Sequence, residues 1–238
     1  MRHAQSGHSG NLRVVVVGYG PTGMVLAALL GRAGHRVTVL ERYPALYNLP
    51  RAGAMDDETM RIFAAVGIAD RLEPRLRPVQ TYQLRNGDGE VLGETTPARV
   101  GRSGWPELSC FYQPDLEDAL DEVCRTLPGV EIRQGHRVTA IDQNGDLATV
   151  SYSSDTGNGT LRAPWVVGCD GGESFVRTAL GIDSDDSGFS AVWLVCDFEL
   201  RRELDLPLAQ IADPRQPTVI VALGRRHHRF VFMLDPAA

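Results

Sequence analysis

Three glycines follow a run of valines near the start of the chain, and their spacing suits the binding of a phosphate. Gly18, Gly20 and Gly23 occupy the glycine positions of a G-x-G-x-x-G pattern in the segment GYGPTG. In such a pattern the first glycine permits a tight turn, the second lets the backbone approach a pyrophosphate, and the third lets a helix pack closely on a strand. A helix with Pro21 and Thr22 in its first turn would direct free N–H groups at the phosphates. The pattern predicts a dinucleotide site.

An acidic residue follows at about the spacing of ~20 positions that such sites show. Glu41 ends a second apolar run and precedes Arg42, which we include in the candidate site. A carboxylate here can accept hydrogen bonds from ribose hydroxyls, and it would repel a 2′-phosphate. The site should therefore hold FAD or NAD rather than NADP, and these residues alone do not choose between the two.

A second glycine turn occurs much later, again after a short apolar run. The segment CDGGESFVR contains Asp170, Gly171, Ser174 and Arg177. Taken singly, an aspartate before glycine is typical of an ordinary turn. By the same standard, Arg51 in LPRA fits a surface guanidinium and Gln113 in QPDL fits the start of a helix.

Taken together, and in their order along the chain, the four motifs GYGPTG, LPRA, QPDL and CDGGESFVR resemble those of the group A flavoprotein aromatic hydroxylases. This family is typified by para-hydroxybenzoate hydroxylase. CDGGESFVR matches that family's D-G-x-x-S-x-V-R signature, and the resemblance extends from Leu12 over nearly the whole chain. Within the family, the segments DLPLAQIADPRQPT and RRHHRFVFML resemble the 3-(3-hydroxyphenyl)propionate hydroxylases.

The resemblance implies a role for each matching residue. Gly18, Gly20 and Gly23 would hold the pyrophosphate of FAD, and Glu41 would bind the ribose. Arg51 would lie on the flavin side, and Gln113 would hydrogen-bond the cofactor near its phosphate and ribityl region. Asp170 would serve both FAD binding and the interaction with NAD(P)H, while Ser174 and Arg177 would shape the turn.

The resemblance also implies an activity. NADH or NADPH would reduce the FAD, and oxygen would then hydroxylate a small phenolic aromatic substrate, with no metal and no nucleophilic side chain. The family has a further Gly-Asp motif and a following helix, and neither occurs before Ala238, so we expect a C-terminally truncated chain. Two alternatives stay open: a catalytically silent nucleotide-binding fragment, and an NAD-dependent oxidoreductase that would leave Asp170 and Gly171 unexplained.

The elements that must position these residues indicate an α/β fold. Val14 to Val17 and Val37 to Leu40 are typical of buried parallel strands, and the helix between them completes a Rossmann-like βαβ unit. Helices are expected to begin near Asp56 and at Gln113, and to run over 173–180. Further strands are predicted at 81–94 and 137–152 as hairpins, and at 130–133, 160–162, 165–167, 192–199, 218–223 and 229–234.

These elements suggest a domain plan. Residues 1–11 are predicted as a disordered tail. An FAD-binding domain is predicted from 12–80 and 110–183, interleaved with hairpins. Part of a β-sheet substrate domain is predicted from 81–109 and 184–238.

Composition limits the partners and the location. The net charge of -6 over 238 residues argues against nucleic acid, because phosphate binding needs a basic face. The longest apolar stretch, Met24 to Leu30, is far shorter than the ~20 residues of a membrane span. The four scattered cysteines, Cys110, Cys124, Cys169 and Cys196, suggest reduced thiols in a cytoplasmic protein. Whether the chain forms a homo-oligomer is left open.

The histidines suggest no metal site. His227 and His228 stand among arginines, whose positive charge discourages a cation, and we predict that they lie at a solvated strand end. His35 and His136 have no neighbours at metal-ligand spacing.

Overall fold

The computed structural model describes residues 11–47 and 51–234. The chain divides into two compact units: the first unit comprises 1–47 and 120–183, and the second comprises 48–119 and 184–238. The sequence predicts domain boundaries at 80/81 and 109/110, whereas the compact units change at 47/48 and 119/120. The domain plan therefore stays a prediction. Residues 1–10 of the predicted tail lie outside the described residues.

The described ranges contain sixteen strands and five helices. In chain order the strands are β1 (Arg13–Val17), β2 (Arg36–Glu41), β3 (Ala54–Asp56), β4 (Arg77–Pro78), β5 (Tyr82–Asn86), β6 (Val91–Thr95), β7 (Leu108–Cys110), β8 (Val130–Gln134), β9 (Arg137–Asn144), β10 (Leu147–Ser154), β11 (Gly157–Ala163), β12 (Trp165–Gly168), β13 (Val192–Glu199), β14 (Leu208–Ala212), β15 (Thr218–Ala222) and β16 (His227–Leu234). The helices are α1 (Pro21–Arg32), α2 (Asp57–Val66), α3 (Ala69–Leu72), α4 (Gln113–Thr126) and α5 (Phe175–Ala179), with a 3-10 turn at Glu73–Arg75.

The first unit is built on a four-stranded parallel sheet in the order β12-β1-β2-β8. Val14 to Val17 in β1 are all buried, as a continuous β-branched run between two neighbouring strands requires. Helix α1 connects β1 to β2, and Gly34 (φ +84°) allows the sharp turn after it. The predicted βαβ unit and α/β fold are confirmed.

A three-stranded antiparallel sheet, β11-β10-β9, completes the first unit. Its first hairpin turns at Asn144 and Gly145, where φ is +63°, as the sequence predicts. Buried apolar side chains from both sheets and from α5 form one core. Its members are Val15, Val17, Leu40, Val138, Val150, Ala163 and Val176. Val17 ends β1 and Leu40 lies next to the end of β2, so this core supports the turns that follow the two strands.

The second unit contains a six-stranded sheet in the order β13-β16-β15-β14-β5-β6 and a small sheet in the order β3-β7-β4. Helix α2 begins where predicted, because Asp56 accepts a hydrogen bond from the Thr59 amide (2.8 Å), and it ends before Gly67, which adopts φ +91°. Strand β14 was not predicted, since its segment LAQIA has little β-branched character and lies close to prolines.

Strand β13 lies at one edge of the six-stranded sheet, paired with β16 alone among the described strands. Most of its apolar side chains are exposed. They are Val192, Trp193, Leu194, Val195 and Phe198.

The prediction of a solvated end at the paired histidines is wrong. His228 is fully buried, and the ring of His227 stacks on that of Tyr112 at 4.0 Å between centroids. The reason is topological: β16 pairs with β13 on one side and with β15 on the other, so His228 lies within the six-stranded sheet rather than in a loop. The adjacent Arg229 is also buried, and it pairs with Asp197 through two hydrogen bonds of 2.8 and 2.9 Å.

Candidate cofactor-binding site

The two glycine turns meet at one edge of the parallel sheet. Strands β1 and β12 are parallel neighbours, with Val17 opposite Gly168, so the turns that follow them emerge side by side. A Cβ added to Gly18 would lie 2.4 Å from the carbonyl oxygen of Cys169 and 2.9 Å from the Cα of Asp170. Because β1 lies between β2 and β12, this edge is where strand order reverses, the usual ligand position in open α/β sheets.

The three glycines of the first turn serve two purposes. A Cβ on Gly23 would lie 2.1 Å from the carbonyl oxygen of Gly18, so these two glycines allow close packing within the protein. Gly20 differs, since nothing described lies within 4 Å of the position of its Cβ. It is also the N-cap of α1, where no described side chain makes a capping hydrogen bond. An open backbone at an uncapped helix start fits a pyrophosphate.

Pro21 and Thr22 form the first turn of α1, as predicted. Pro21 is half-buried and Thr22 is exposed. Proline at this position removes an N–H group that would otherwise lack a partner, and it leaves the following amides available.

Glu41 holds the first turn directly. Its Oε2 accepts a hydrogen bond from the backbone amide of Tyr19 (2.7 Å), and its Oε1 accepts one from the amide of Tyr43 (2.9 Å). Each carboxylate oxygen can accept a further hydrogen bond, so binding a ribose hydroxyl is compatible with these contacts. Arg42 is exposed, with its guanidinium 4.9 Å from the centre of the Tyr43 ring.

Asp170 organises the second turn. Its Oδ1 accepts a hydrogen bond from the Ser174 hydroxyl, and its Oδ2 accepts one from the Val176 amide (3.1 Å). Ser174 in turn caps α5 by accepting a hydrogen bond from the Arg177 amide (3.0 Å). With Gly171 at φ +87°, these contacts fix the turn that lies against Gly18.

Two predicted site residues meet within the second unit. Gln113 is 4% exposed, and its Oε1 accepts hydrogen bonds from the backbone amides of Arg51 (2.7 Å) and Ala52 (2.8 Å). Its Nε2 donates to Glu117 (2.7 Å), which sets the orientation of the amide. Arg229 donates to the carbonyl oxygen of Arg51 (2.8 Å), so the backbone at Arg51 is held from two directions.

Sequence reasoning missed three residues that support the site. Tyr19 lies inside the glycine turn and is buried, Asp121 accepts its hydroxyl hydrogen bond, and Arg229 fixes the backbone of Arg51. The one available signal was Tyr19 itself, because a large aromatic side chain between two glycines is expected to be buried against a neighbouring element. Asp121 and Arg229 are too distant in sequence for spacing to reveal their partners.

Two cysteine thiols are buried, which disfavours their ionisation. Burial raises the pKa of Cys110 and of Cys124 to about 11 in each case. All four cysteines are free thiols. Within 11–47 and 51–234, no three His, Cys, Asp or Glu side chains are grouped to hold a metal ion, and no helix is long and apolar enough to cross a membrane.

Comparison with known proteins gives a family match and several relatives. The model of a family described as FAD binding domain matches residues 11–238. A probable NADH-specific resorcinol 4-hydroxylase of Rhodococcus jostii (strain RHA1) is 51% identical over 229 residues, covering 94% of this chain and 43% of the relative. A 3-(3-hydroxy-phenyl)propionate/3-hydroxycinnamic acid hydroxylase of Mycolicibacterium gilvum (strain PYR-GCK) is 37% identical, covering 94% of this chain and 39% of the relative.

A solved structure agrees with these relatives. That of p-nitrophenol 4-monooxygenase from Pseudomonas putida DLL-E4 superimposes with a TM-score of 0.88 at 31% identity, covering 96% of this chain and 59% of the other. The resemblance stated from the sequence motifs is confirmed. The chain spans about two fifths of the length of the two curated relatives, at 43% and 39%.

Proposed function

We propose, because this chain belongs to the FAD-binding domain family, that it is the FAD-binding part of a hydroxylase that acts on phenolic compounds. The observation that carries the proposal is the contact between the two glycine turns. Gly18 lies against Cys169 and Asp170, so residues that are 151 and 152 positions apart form one edge of a single site. An NAD-dependent oxidoreductase that used only the first βαβ unit would have no use for the second turn.

The candidate site residues have different roles in the proposed site. The open backbone at Gly20 and the amides at the start of α1 would hold the pyrophosphate, and Glu41 would bind the ribose. Asp170 and its turn would complete that side of the site. The resemblance also assigns Arg51 and Gln113 to FAD, and these two residues contact each other within the second unit.

FAD, when bound, supplies the redox chemistry and the activation of oxygen, which no side chain of this protein could provide. The work of the chain is then to bind the cofactor, orient it and keep water away from it. No nucleophilic side chain is required. Burial disfavours the thiolate forms of Cys110 and Cys124, so neither is proposed as a nucleophile.

The substrate class comes from the relatives. Those named above act on resorcinol and on 3-(3-hydroxyphenyl)propionate or 3-hydroxycinnamic acid, all of which carry a phenol hydroxyl. A phenol oxygen donates electron density to the ring carbon that is hydroxylated. The name of the Rhodococcus relative favours NADH as the reductant. A cytoplasmic location, where NADH and oxygen are both present, belongs to the same proposal.

The test begins with the purified 238-residue chain. FAD binding is measured by the change in flavin absorbance and by equilibrium dialysis, and NAD binding is measured in parallel. NADH oxidation and oxygen consumption are then followed with resorcinol, with 3-(3-hydroxyphenyl)propionate, and with benzoate as a non-phenolic control.

The proposal expects FAD to bind and the two phenols, but not benzoate, to stimulate NADH oxidation with formation of a hydroxylated product. FAD binding without turnover would support the cofactor assignment and leave catalysis to a longer form of the protein. Binding of NAD without FAD would overturn the proposal in favour of the dehydrogenase. Binding of neither would leave the silent fragment as the remaining hypothesis.

A further inference from the structure

Tyr19 lies between the first two glycines of the turn and is anchored at both ends. Its side chain is 3% exposed. Its backbone amide donates to Oε2 of Glu41 (2.7 Å), and its hydroxyl donates to Oδ1 of Asp121 (2.9 Å). The residue before Gly20 is therefore fixed both by the end of β2 and by helix α4.

Asp121 in turn uses its second oxygen. Its Oδ2 accepts a hydrogen bond from Nε of Arg125 (2.7 Å), one helical turn further along α4. Arg125 also donates through Nη2 to Oε1 of Gln134 (3.2 Å), the last residue of β8. Gln134 lies opposite Glu41 in the pairing of β8 with β2. The hydrogen bonds thus run from Glu41 through Tyr19 and Asp121 back to the neighbouring strand.

The protonation states suit this arrangement. Burial raises the pKa of the Tyr19 phenol well above its ordinary value, and the nearby Cys124 thiol and Asp121 carboxylate raise it further. Tyr19 is therefore a hydrogen-bond donor at neutral pH. The two oxygens of Asp121 accept from a phenol and from a guanidinium, which is the pattern of an ionised carboxylate.

We propose that Asp121 is a positioning residue for cofactor binding, acting through the hydroxyl of Tyr19 on the backbone of the glycine turn. The proposal rests on the proposed function, since FAD is the ligand concerned. Gly20, next to Tyr19, is the residue whose open side receives the pyrophosphate. If the Tyr19 ring is free to move, the amides at the start of α1 must be ordered when FAD binds, and that cost weakens binding.

The test uses the full 238-residue chain and the variants Tyr19→Phe, Asp121→Ala and the double variant. Tyr19→Phe removes one oxygen and keeps the ring, so this variant should keep the wild-type fold. The matched control is Tyr152→Phe, which removes a hydroxyl that accepts a hydrogen bond from Arg133 (3.2 Å) elsewhere in the same unit. Two quantities are measured: the Kd for FAD, and the amide hydrogen exchange of residues 18–23 in the FAD-free chain.

Each single variant should raise the Kd for FAD by about three- to ten-fold, which corresponds to the net loss of one hydrogen bond. The double variant should be no worse than the weaker-binding single variant, because both changes remove the same contact. Amide exchange at Gly18 and Tyr19 should become faster. Tyr152→Phe should change neither quantity by more than about two-fold.

Unchanged FAD affinity in Tyr19→Phe and Asp121→Ala would overturn the inference and leave the proposed function standing. The inference would also be overturned if the effects of the two single changes on the Kd for FAD were additive in the double variant. If the wild-type chain does not bind FAD, the cofactor assignment fails. Faster exchange in the two single variants would then still support the positioning of the turn.

Discussion

Gly18 packs so closely against Cys169 that a Cβ on Gly18 would lie 2.4 Å from the carbonyl oxygen of Cys169. Gly18 also has φ +102°, a conformation that other residues rarely adopt. Gly18→Ala should therefore force apart the turns after β1 and β12, at a cost of about 3 kcal/mol or more in unfolding free energy. Chemical denaturation checks this, and a variant as stable as the wild type would mean that the two turns do not touch.

Gly20→Ala should leave stability nearly unchanged and weaken FAD binding. Its new methyl group would meet nothing within 4 Å, so the unfolding temperature should stay within about 2 °C of wild type. In the proposed site, the same methyl group would stand where the pyrophosphate approaches the backbone, so the Kd for FAD should rise by about ten-fold or more. The control is Gly93→Ala on β6, which also adds a methyl group in open space. Equal FAD binding by both variants would remove Gly20 from the site.

Gln113→Leu should destabilise the second unit. The change keeps the size of the side chain but leaves the amides of Arg51 and Ala52 without their acceptor, at a cost of about 1–3 kcal/mol. Urea denaturation measures the loss. Gln210→Leu makes the same replacement at an exposed position of β14 and should change stability by less than about 0.5 kcal/mol. A similar effect in the two variants would contradict a structural role for the Gln113 amide.

His228 should make stability depend on pH below neutrality. Burial lowers the pKa of its imidazole, with the charges of Arg77 and His227 acting in the same direction. In the unfolded chain this imidazole binds a proton near pH 6.5, whereas in the folded chain it binds one only at lower pH. The free energy of unfolding therefore falls as the pH drops from about 6.5 toward the pKa of His228 in the folded state. Urea midpoints measured between pH 5 and 8 should show this slope.

The slope should disappear in His228→Phe, which has no proton to bind at this position. It should persist in His35→Gln, which changes a histidine that is only half-buried. A slope that remains in His228→Phe would assign the effect to another group.

Much of the first unit could be predicted because its signals are local. A β-branched run, a proline at the helix start and a glycine after the helix end each act over a few residues, and β1, α1 and β2 form where these signals place them. The short sheet of β3, β7 and β4 escaped prediction. Its strands have two or three residues each, and pairing between distant segments rather than propensity creates them.

The candidate site divides in the same way. Gly18, Glu41 and Asp170 belong to patterns with a known spacing, so the sequence predicts their neighbourhood. The partners of Tyr19 and Arg51 could not be predicted, because Asp121 and Arg229 are brought to them only by the packing of helices and strands. His228 shows the same limit. A charged sequence context indicates exposure, and the central position of its strand determines burial instead.

Strand β13 presents a row of main-chain N–H and C=O groups on the side away from β16, flanked by Trp193 and Phe198. Such a border can be lengthened by any extended peptide that runs alongside it, whatever its sequence. Among the described residues, the six-stranded sheet therefore ends at a border to which one more strand could be added.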